Sequence, residues 1–188
     1  MIVDKHSKEI KVKVLYWGPT GSGKTTNLVH LSRFGRIEPT LMLDRSGSTV
    51  YFDLVILEEN WHDYRIVYTI FASCGQDYYA PLRKLIIEKT DFVVFVLDSK
   101  RSRLEENIDS FNELITLIGK DVPIIIQANK RDLEDKLSIE EIRANIGDNY
   151  SIIEAIAVDG VGVTETFSTV RDSVKPMLSS LLESKENL

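Results

Sequence analysis

A glycine-rich octet near the N-terminus carries the residue types best suited to chemistry. Residues 18–25 read Gly-Pro-Thr-Gly-Ser-Gly-Lys-Thr and match the pattern G-x-x-x-x-G-K-[ST]. Glycines let a backbone wrap closely and turn its N–H groups towards an anion. Lys24 adds a full positive charge, and Thr25 offers a hydroxyl ligand to Mg²⁺. The octet lies between an apolar run and a helical pattern, so it predicts a loop that binds nucleotide phosphates.

A second motif, Asn129-Lys130-Arg131-Asp132, directly follows the apolar run 123–128. The carboxylate of Asp132 offers two acceptors in one plane, and guanine presents two matching donors, N1–H and its exocyclic amine. Adenine lacks this pair and would leave the carboxylate unpaired, which is costly in a buried site. We expect Asn129 to bind the other edge of the base and to tie this loop to the phosphate loop. The Lys130 stem would lie over the base, and GTP or GDP with Mg²⁺ is therefore the predicted ligand.

Short apolar runs alternate with amphipathic stretches along the chain. The runs 10–17, 92–97, 123–128 and 152–158 are rich in β-branched residues and predict strands buried on both faces. The runs 50–57 and 65–71 flank the polar stretch 58–63 and predict an antiparallel hairpin with a medium-length loop.

Helices are predicted over 24–34, 104–118, 139–146 and from about Val163 past Leu178. Ser102 with Glu105, and Ser138 with Glu141, have the spacing of capping boxes. Pro176 is expected to kink the last helix or to weaken it near its end. The whole chain is expected to hold about six strands and five helices, which indicates an α/β fold: a three-layer P-loop domain with a mostly parallel sheet and helices on both faces.

Length and composition narrow the class of protein further. The 188 residues fit one domain, residues 1–188, and 43% apolar with 28% charged residues is ordinary for a globular protein. The net charge of −6 disfavours sequence-independent binding of nucleic acid. One cysteine, Cys74, and the lack of a signal peptide, a membrane-length apolar run or a lipidation motif predict a cytoplasmic protein without a lipid anchor of its own.

Several segments together resemble the Ras-like small GTPases, and most closely the bacterial cell-polarity GTPases of the MglA family. The matching segments are Tyr16-Trp17-Gly18-Pro19, Gly23-Lys24-Thr25-Thr26-Asn27-Leu28, Tyr51-Phe52-Asp53, Arg83-Lys84-Leu85-Ile86, Val94-Phe95-Val96-Leu97-Asp98-Ser99, the run from Ile126 to Leu133, Glu154-Ala155-Ile156-Ala157 and Gly160-Val161-Gly162-Val163. They extend over nearly the whole chain.

The resemblance implies two switch segments that respond to the γ-phosphate. In such proteins Thr49 would complete the Mg²⁺ site with Thr25, the Gly75 N–H would bind the γ-phosphate, and Gln76 would orient the attacking water. The Ala157 N–H would contact the guanine oxygen. The expected nucleotide-binding set is Gly18, Gly21, Ser22, Gly23, Lys24, Thr25, Thr26, Thr49, Gly75, Asn129, Lys130, Asp132 and Ala157.

Two positions depart from that family pattern. Ala72 stands where Ras-like proteins have a magnesium-orienting Asp and MglA-like proteins tend to have Thr. Either Mg²⁺ affinity is lower or Asp53 compensates. Ser48 stands where the MglA family has an arginine, and the nearest arginine is Arg45. Arg45 is a candidate catalytic residue, with a solvated loop residue as the alternative.

Three functions are compatible with these motifs. The first is a regulatory GTPase with slow hydrolysis, for which the resemblance implies an activator of the roadblock/LC7 type and a role in cell polarity or motility. The second is a GTP-binding module with negligible hydrolysis, suggested by Ser48 and Ala72 and opposed by Gln76. The third, a P-loop kinase or ATPase, is disfavoured because such enzymes have no need of Asn129 and Asp132.

Overall fold

The computed structural model describes residues 1–186 apart from 38–39, 44–48, 53, 73–86 and 120. Ten strands lie within this part of the chain. They are β1 (Ile2–Asp4), β2 (Glu9–Trp17), β3 (Arg36–Ile37), β4 (Thr40–Leu43), β5 (Thr49–Phe52), β6 (Leu54–Trp61), β7 (Tyr64–Ala72), β8 (Phe92–Asp98), β9 (Ile124–Asn129) and β10 (Ser151–Glu154). Four α-helices are described there as well: α1 (Lys24–Leu31), α2 (Leu104–Leu117), α3 (Ile139–Ile146) and α4 (Val163–Glu186).

Seven strands lie side by side in the order β10-β9-β8-β2-β7-β6-β3, and β1 pairs with the start of β2. The five strands from β10 to β7 are parallel to one another. Strands β6 and β3 continue the sheet in antiparallel fashion, and β4 pairs with β5 in a separate two-stranded sheet. Among the described residues this is the mostly parallel α/β sheet that the sequence predicts.

Each face of the sheet buries its own hydrophobic core. Alternate residues of β2 point to opposite faces, so Tyr16 joins one core while Leu15 and Trp17 join the other. The first core packs the sheet against α1 and α4, and the second packs it against α2 and α3. The result is the predicted three-layer arrangement.

The parallel register brings the carboxyl ends of β2, β8, β9 and β10 to one edge of the sheet. Asp98, the last residue of β8, is the register partner of Asn129, the last residue of β9. Likewise Glu154 at the end of β10 pairs with Ala128. Ligands of open α/β sheets bind at this edge, and the motifs at 18–25 and 129–132 both begin here.

Most predicted strands are confirmed, but three boundaries were wrong. The run 50–57 is divided between β5 and β6, which pair with different partners. Strand β6 continues through the polar stretch to Trp61, where Trp61 pairs with Tyr64 across a two-residue turn. Polar residues are tolerated there because one face of this part of the hairpin meets solvent. Strand β10 ends at Glu154, since the chain then turns back and Ile156 pairs with Val161.

Of the predicted helices, the first differs in its end and the last agrees with its predicted range. α1 ends at Leu31 and a 3-10 turn follows to Phe34. α4 begins at Val163 as predicted and continues for ten residues beyond Pro176. Among the described residues no helix is both long and apolar enough to cross a membrane.

Of the two predicted capping boxes, only one is formed. Ser138 accepts a hydrogen bond from the Glu141 N–H at 3.1 Å, and the Glu141 carboxylate accepts one from the Ser138 N–H at 2.7 Å. The hydrogen bond from the Arg101 side chain is the main cause that lowers the pKa of Glu141 to about 2, and the hydrogen bond from the Ser138 N–H is the second. The box predicted for Ser102 and Glu105 was wrong, because a 3-10 turn over Arg101–Arg103 leads into α2 and its N-cap, Arg103, makes no side-chain capping bond.

Replacing Ser138 by Ala should lower the free energy of unfolding by about 1 kcal/mol, because the N-cap acceptor is lost. Urea denaturation would measure this change. Ser102→Ala is the matched control, and it should leave the free energy of unfolding within about 0.5 kcal/mol of the parent. Equal losses in both variants would contradict the observed difference between the two helix starts.

Candidate functional site

The phosphate loop between β2 and α1 has the backbone that its glycines predict. Gly18, Gly21 and Gly23 have positive φ angles of 148°, 75° and 106°, a region that favours glycine. A Cβ atom on Gly18 would lie 2.2 Å from the Val96 carbonyl oxygen, and one on Gly23 would lie 2.2 Å from Asn129 Nδ2. Glycine is therefore required at these two positions by close contacts as well as by φ.

Lys24 is buried in this loop, with its side chain turned back over it. Its Nζ donates to the carbonyl oxygens of Gly18 at 2.8 Å and Pro19 at 2.9 Å. The ammonium group is thus held at the loop, where an anion bound to the loop's N–H groups would meet it. Thr25 is exposed in the first turn of α1, and a hydroxyl at this position of a phosphate loop can serve as an oxygen ligand of Mg²⁺.

Asn129 ties three loops together at the end of β9. Its Nδ2 donates to the Ser22 carbonyl oxygen of the phosphate loop at 2.8 Å. Its Oδ1 accepts from the Ala157 N–H, in the loop after β10, also at 2.8 Å. The side chain is only 3% exposed, so both bonds are shielded from water. Residues 129–132 form the base loop, and the predicted link between this loop and the phosphate loop is present in this geometry.

Lys130 and the phosphate loop are both held by side chains of the segment that runs from the end of β8 to the start of α2. Lys130 has a positive φ of 64°, and its Nζ binds Asp98 Oδ2 at 2.6 Å. Asp98 is buried, and its Oδ1 accepts from the Lys100 N–H at 3.0 Å. Arg103 lies 3.9 Å from the same carboxylate and donates to the Thr20 carbonyl oxygen at 2.6 Å. The base-loop lysine therefore has its charge neutralised within the protein.

A cleft of about 230 Å³ lies between the three loops. It is lined by Gly21, Gly23, Thr26, Asn129, Lys130, Asp132, Leu133, Ile156, Ala157 and Val158. Asp132 lies at its rim with an exposed side chain. A planar base in this cleft would meet the Asp132 carboxylate, while phosphates attached to it would reach the glycine-rich backbone. The donors, acceptors and open volume fit a guanine nucleotide.

Some of the expected site residues lie outside what the structure describes. Arg45, Gly75 and Gln76 are among the residues without a described position. Thr49 is the first residue of β5, and the structure describes its backbone but not its side chain. Their roles remain predictions from the resemblance.

Ala72 is described: it ends β7, lies buried, and is the register partner of Tyr16. Its methyl side chain has no atom that can bind a metal or a water.

The functional motifs alone did not reveal the buried supports of the site. Asp98 and Arg103 were not predicted to contact the loops, nor were Asn27, Gln127 and Thr166 behind them. The available signal was a polar residue inside an otherwise apolar run, as for Gln127 in the run 123–128. A buried polar group must find a partner, so such a residue marks a hydrogen-bonded position.

A parallel sheet with a phosphate loop after β2 and an Asn-Lys-x-Asp loop after β9 defines a P-loop protein of the guanine-nucleotide-binding class. The comparisons with known proteins agree. The model of the ADP-ribosylation factor (Arf) family matches residues 1–184, and the chain belongs to this family of Ras-like small GTPases.

Among curated proteins, the mutual gliding-motility protein MglA of Myxococcus xanthus (strain DK1622) is similar to this chain. The two are 32% identical over 180 residues, which span 89% of this chain and 92% of that protein. The resemblance predicted from the sequence motifs is therefore confirmed, and GTP binding with GTP hydrolysis is the general activity that the family implies.

Replacing Asn129 by Asp tests the link between the loops. The variant keeps an acceptor for the Ala157 N–H but sets a second acceptor against the Ser22 carbonyl oxygen. GDP affinity should fall about 10- to 100-fold, as for an unsatisfied buried group, when measured by titration with a fluorescent GDP analogue. Asn112→Asp adds the same charge at an exposed position of α2 and should bind GDP as the parent does. Parent-like affinity in Asn129→Asp would contradict the bridging role.

Proposed function

We propose that this protein is a GTP/GDP-dependent molecular switch with slow hydrolysis that a protein activator accelerates. The observation that carries the proposal is the bridge made by Asn129, which joins the phosphate loop, the base loop and the loop after β10 around one cleft. A site built this way binds both ends of one ligand at once.

The proposed roles combine the residues that line the cleft with the pattern of the two sequence motifs. Asp132 pairs with the guanine N1–H and amine. The Ala157 N–H donates to Asn129 Oδ1 in the structure, and in the proposed complex it is shared between that oxygen and the guanine oxygen. Lys24 and the backbone of Gly21, Ser22 and Gly23 bind the phosphates. Gly18 shapes the loop, and Thr26 lines the cleft beside it.

The Mg²⁺ site and the catalytic groups of the proposal rest partly on sequence position. Thr25 would hold Mg²⁺ together with Thr49, and the ion when bound would neutralise charge on the β- and γ-phosphates. Gly75 would bind the γ-phosphate, Gln76 would orient the attacking water, and Arg45 would reach the γ-phosphate in place of the arginine missing at position 48.

The biological side of the proposal rests on the similarity to the gliding-motility protein MglA. We propose an MglA-like role in cell polarity or motility, in the cytoplasm, with effectors that read the nucleotide state. A regulator of the roadblock/LC7 type would act as the activator.

A second candidate function is a GTP-binding module with negligible hydrolysis. Ala72 favours it, because the residue that ends β7 carries no group to orient Mg²⁺ or its waters. The two candidates differ in whether bound GTP turns over, alone or with an activator.

Asp132→Asn tests the proposed recognition of guanine by the base loop. The change swaps one acceptor for a donor, so GTP affinity should fall by about 10²-fold or more, as when a site built on hydrogen bonds loses its match. Xanthine nucleotides, which carry an oxygen at that edge of the base, should bind better than they do to the parent. Titrations with GTP and XTP measure both effects.

The control for this substitution is Asp121→Asn, which removes a charge from an exposed position before β9, at the opposite end of that strand. It should bind GDP as the parent does. If Asp132→Asn binds GTP as tightly as the parent, the base-reading role of this loop is wrong.

Single-turnover hydrolysis of GTP with Mg²⁺ separates the two candidate functions. Gln76→Ala should slow hydrolysis, and Arg45→Ala should slow it by about 10³-fold if that side chain acts as an arginine finger. Arg33→Ala, an exposed arginine in the turn after α1, is the control. If the parent hydrolyses GTP and both variants stall, the protein is a self-sufficient switch. Intact GTP in all samples, also with an activator added, would favour the binding module.

A further inference from the structure

Three polar side chains meet behind the nucleotide cleft, on the core side of the sheet edge. Asn27 comes from α1, Gln127 from β9 and Thr166 from the first turn of α4. Each of the three is 0% exposed. None of them lines the cleft, and none has a role in the function proposed above.

The three side chains satisfy one another with directional hydrogen bonds. Asn27 and Gln127 form a reciprocal amide pair, in which each Nδ2 or Nε2 donates to the other side chain's oxygen at 2.8 Å. The Gln127 Nε2 also donates to Thr166 Oγ1 at 2.9 Å. Both hydrogens of each amide are used, because Asn27 Nδ2 donates in addition to the Gly23 carbonyl oxygen at 3.0 Å.

The two ends of this network are the loops that border the cleft. One end is the carbonyl of Gly23 in the phosphate loop. The other is the carbonyl of Gly162, to which Thr166 Oγ1 donates at 2.6 Å. Gly162 closes the loop that carries Ala157, and a Cβ on Gly162 would lie 2.2 Å from the Glu154 carbonyl oxygen. The network therefore runs parallel to the Asn129 bridge, one layer deeper.

Packing alone does not explain three polar groups at this position. Apolar side chains of similar volume would hold α1, β9 and α4 together without the cost of burying amides. Hydrogen bonds differ from apolar contacts because they fix distance and orientation, and a fully satisfied buried network is rigid. We propose that Asn27, Gln127 and Thr166 form a positioning network that sets the separation of the phosphate loop from the loop after β10, and thereby the rate of nucleotide release.

This inference rests on the proposed function, because it requires the cleft to bind GDP. A nucleotide that contacts both loops leaves when their separation changes, whereas the fold itself does not need that separation to be exact. The network should therefore affect nucleotide dissociation more than it affects unfolding.

The first test is the rate at which a fluorescent GDP analogue leaves the protein when excess GDP is added. Thr166→Val removes the hydroxyl at nearly constant volume and leaves one hydrogen of the Gln127 amide unpaired. We expect dissociation about tenfold faster or more, in line with the usual cost of a stranded donor. Thr166→Ser keeps the hydroxyl, and it should stay within about twofold of the parent, because the bonds of the network remain. An unchanged rate in Thr166→Val would overturn the proposal.

The second test separates positioning from simple stability. The triple variant Asn27→Leu, Gln127→Met and Thr166→Val removes every member of the network together, so no side-chain donor is stranded. The carbonyls of Gly23 and Gly162 keep their backbone donors, the N–H groups of Asn27 and Thr166, each at 3.0 Å. The thermal midpoint of the triple variant should therefore be higher than that of Thr166→Val and closer to that of the parent.

GDP dissociation should nevertheless stay about tenfold faster or more in the triple variant, because apolar contacts do not fix the spacing of the loops. If dissociation and thermal midpoint return to parent values together, the network is only structural and the proposal is wrong. Asp132→Asn with XDP distinguishes this failure from a failure of the proposed function. Tight XDP binding there with an unchanged rate in Thr166→Val would overturn the network alone, whereas no GDP binding by the parent would overturn the proposed function itself.

Discussion

The side chain of Asn129 is the contact on which the candidate site depends. It is an amide with one donor and one acceptor side, so it can satisfy a carbonyl and an N–H in two different loops at once. Here those partners are Ser22 and Ala157. The three loops come from separate parts of the chain, and they meet only because β2, β8, β9 and β10 are parallel and end at one edge. The sheet brings the three loops close together, and the hydrogen bonds of Asn129 fix their relative positions.

Apolar packing and polar contacts have different roles in this fold. The two apolar cores hold the helices on the sheet, and the continuous burial of β8 leaves no solvent-facing residue in that strand. Polar side chains are confined to its carboxyl end, where Asp98, Lys130 and Arg103 connect the base loop to the phosphate loop. Function is therefore concentrated where the strands stop and the backbone must turn.

The sequence predicted the fold and the two motifs that border the cleft because both follow local rules. Buried runs predict strands, and a glycine pattern between strand and helix predicts the phosphate loop. The capping box at Ser138 was predicted from spacing alone. The same spacing failed at Ser102, because a 3-10 turn took over the helix start, and local sequence does not report that competition. The network of Asn27, Gln127 and Thr166 was also missed, since residues from positions 27, 127 and 166 meet only through tertiary packing.

The ion pair between Lys130 and Asp98 gives the two ends of the cleft different sensitivities to ionic strength. At the base end both cations of the Asn-Lys-x-Asp motif are already paired within the protein, Lys130 with the buried Asp98 and Arg131 with Glu154. Recognition there relies on short-range hydrogen bonds, which salt screens weakly. At the phosphate end Lys24 and the loop N–H groups attract a multiply charged anion, and that attraction is screened by salt. Added salt should therefore weaken the binding of nucleotides in proportion to their phosphate charge, while the preference for one base over another is preserved.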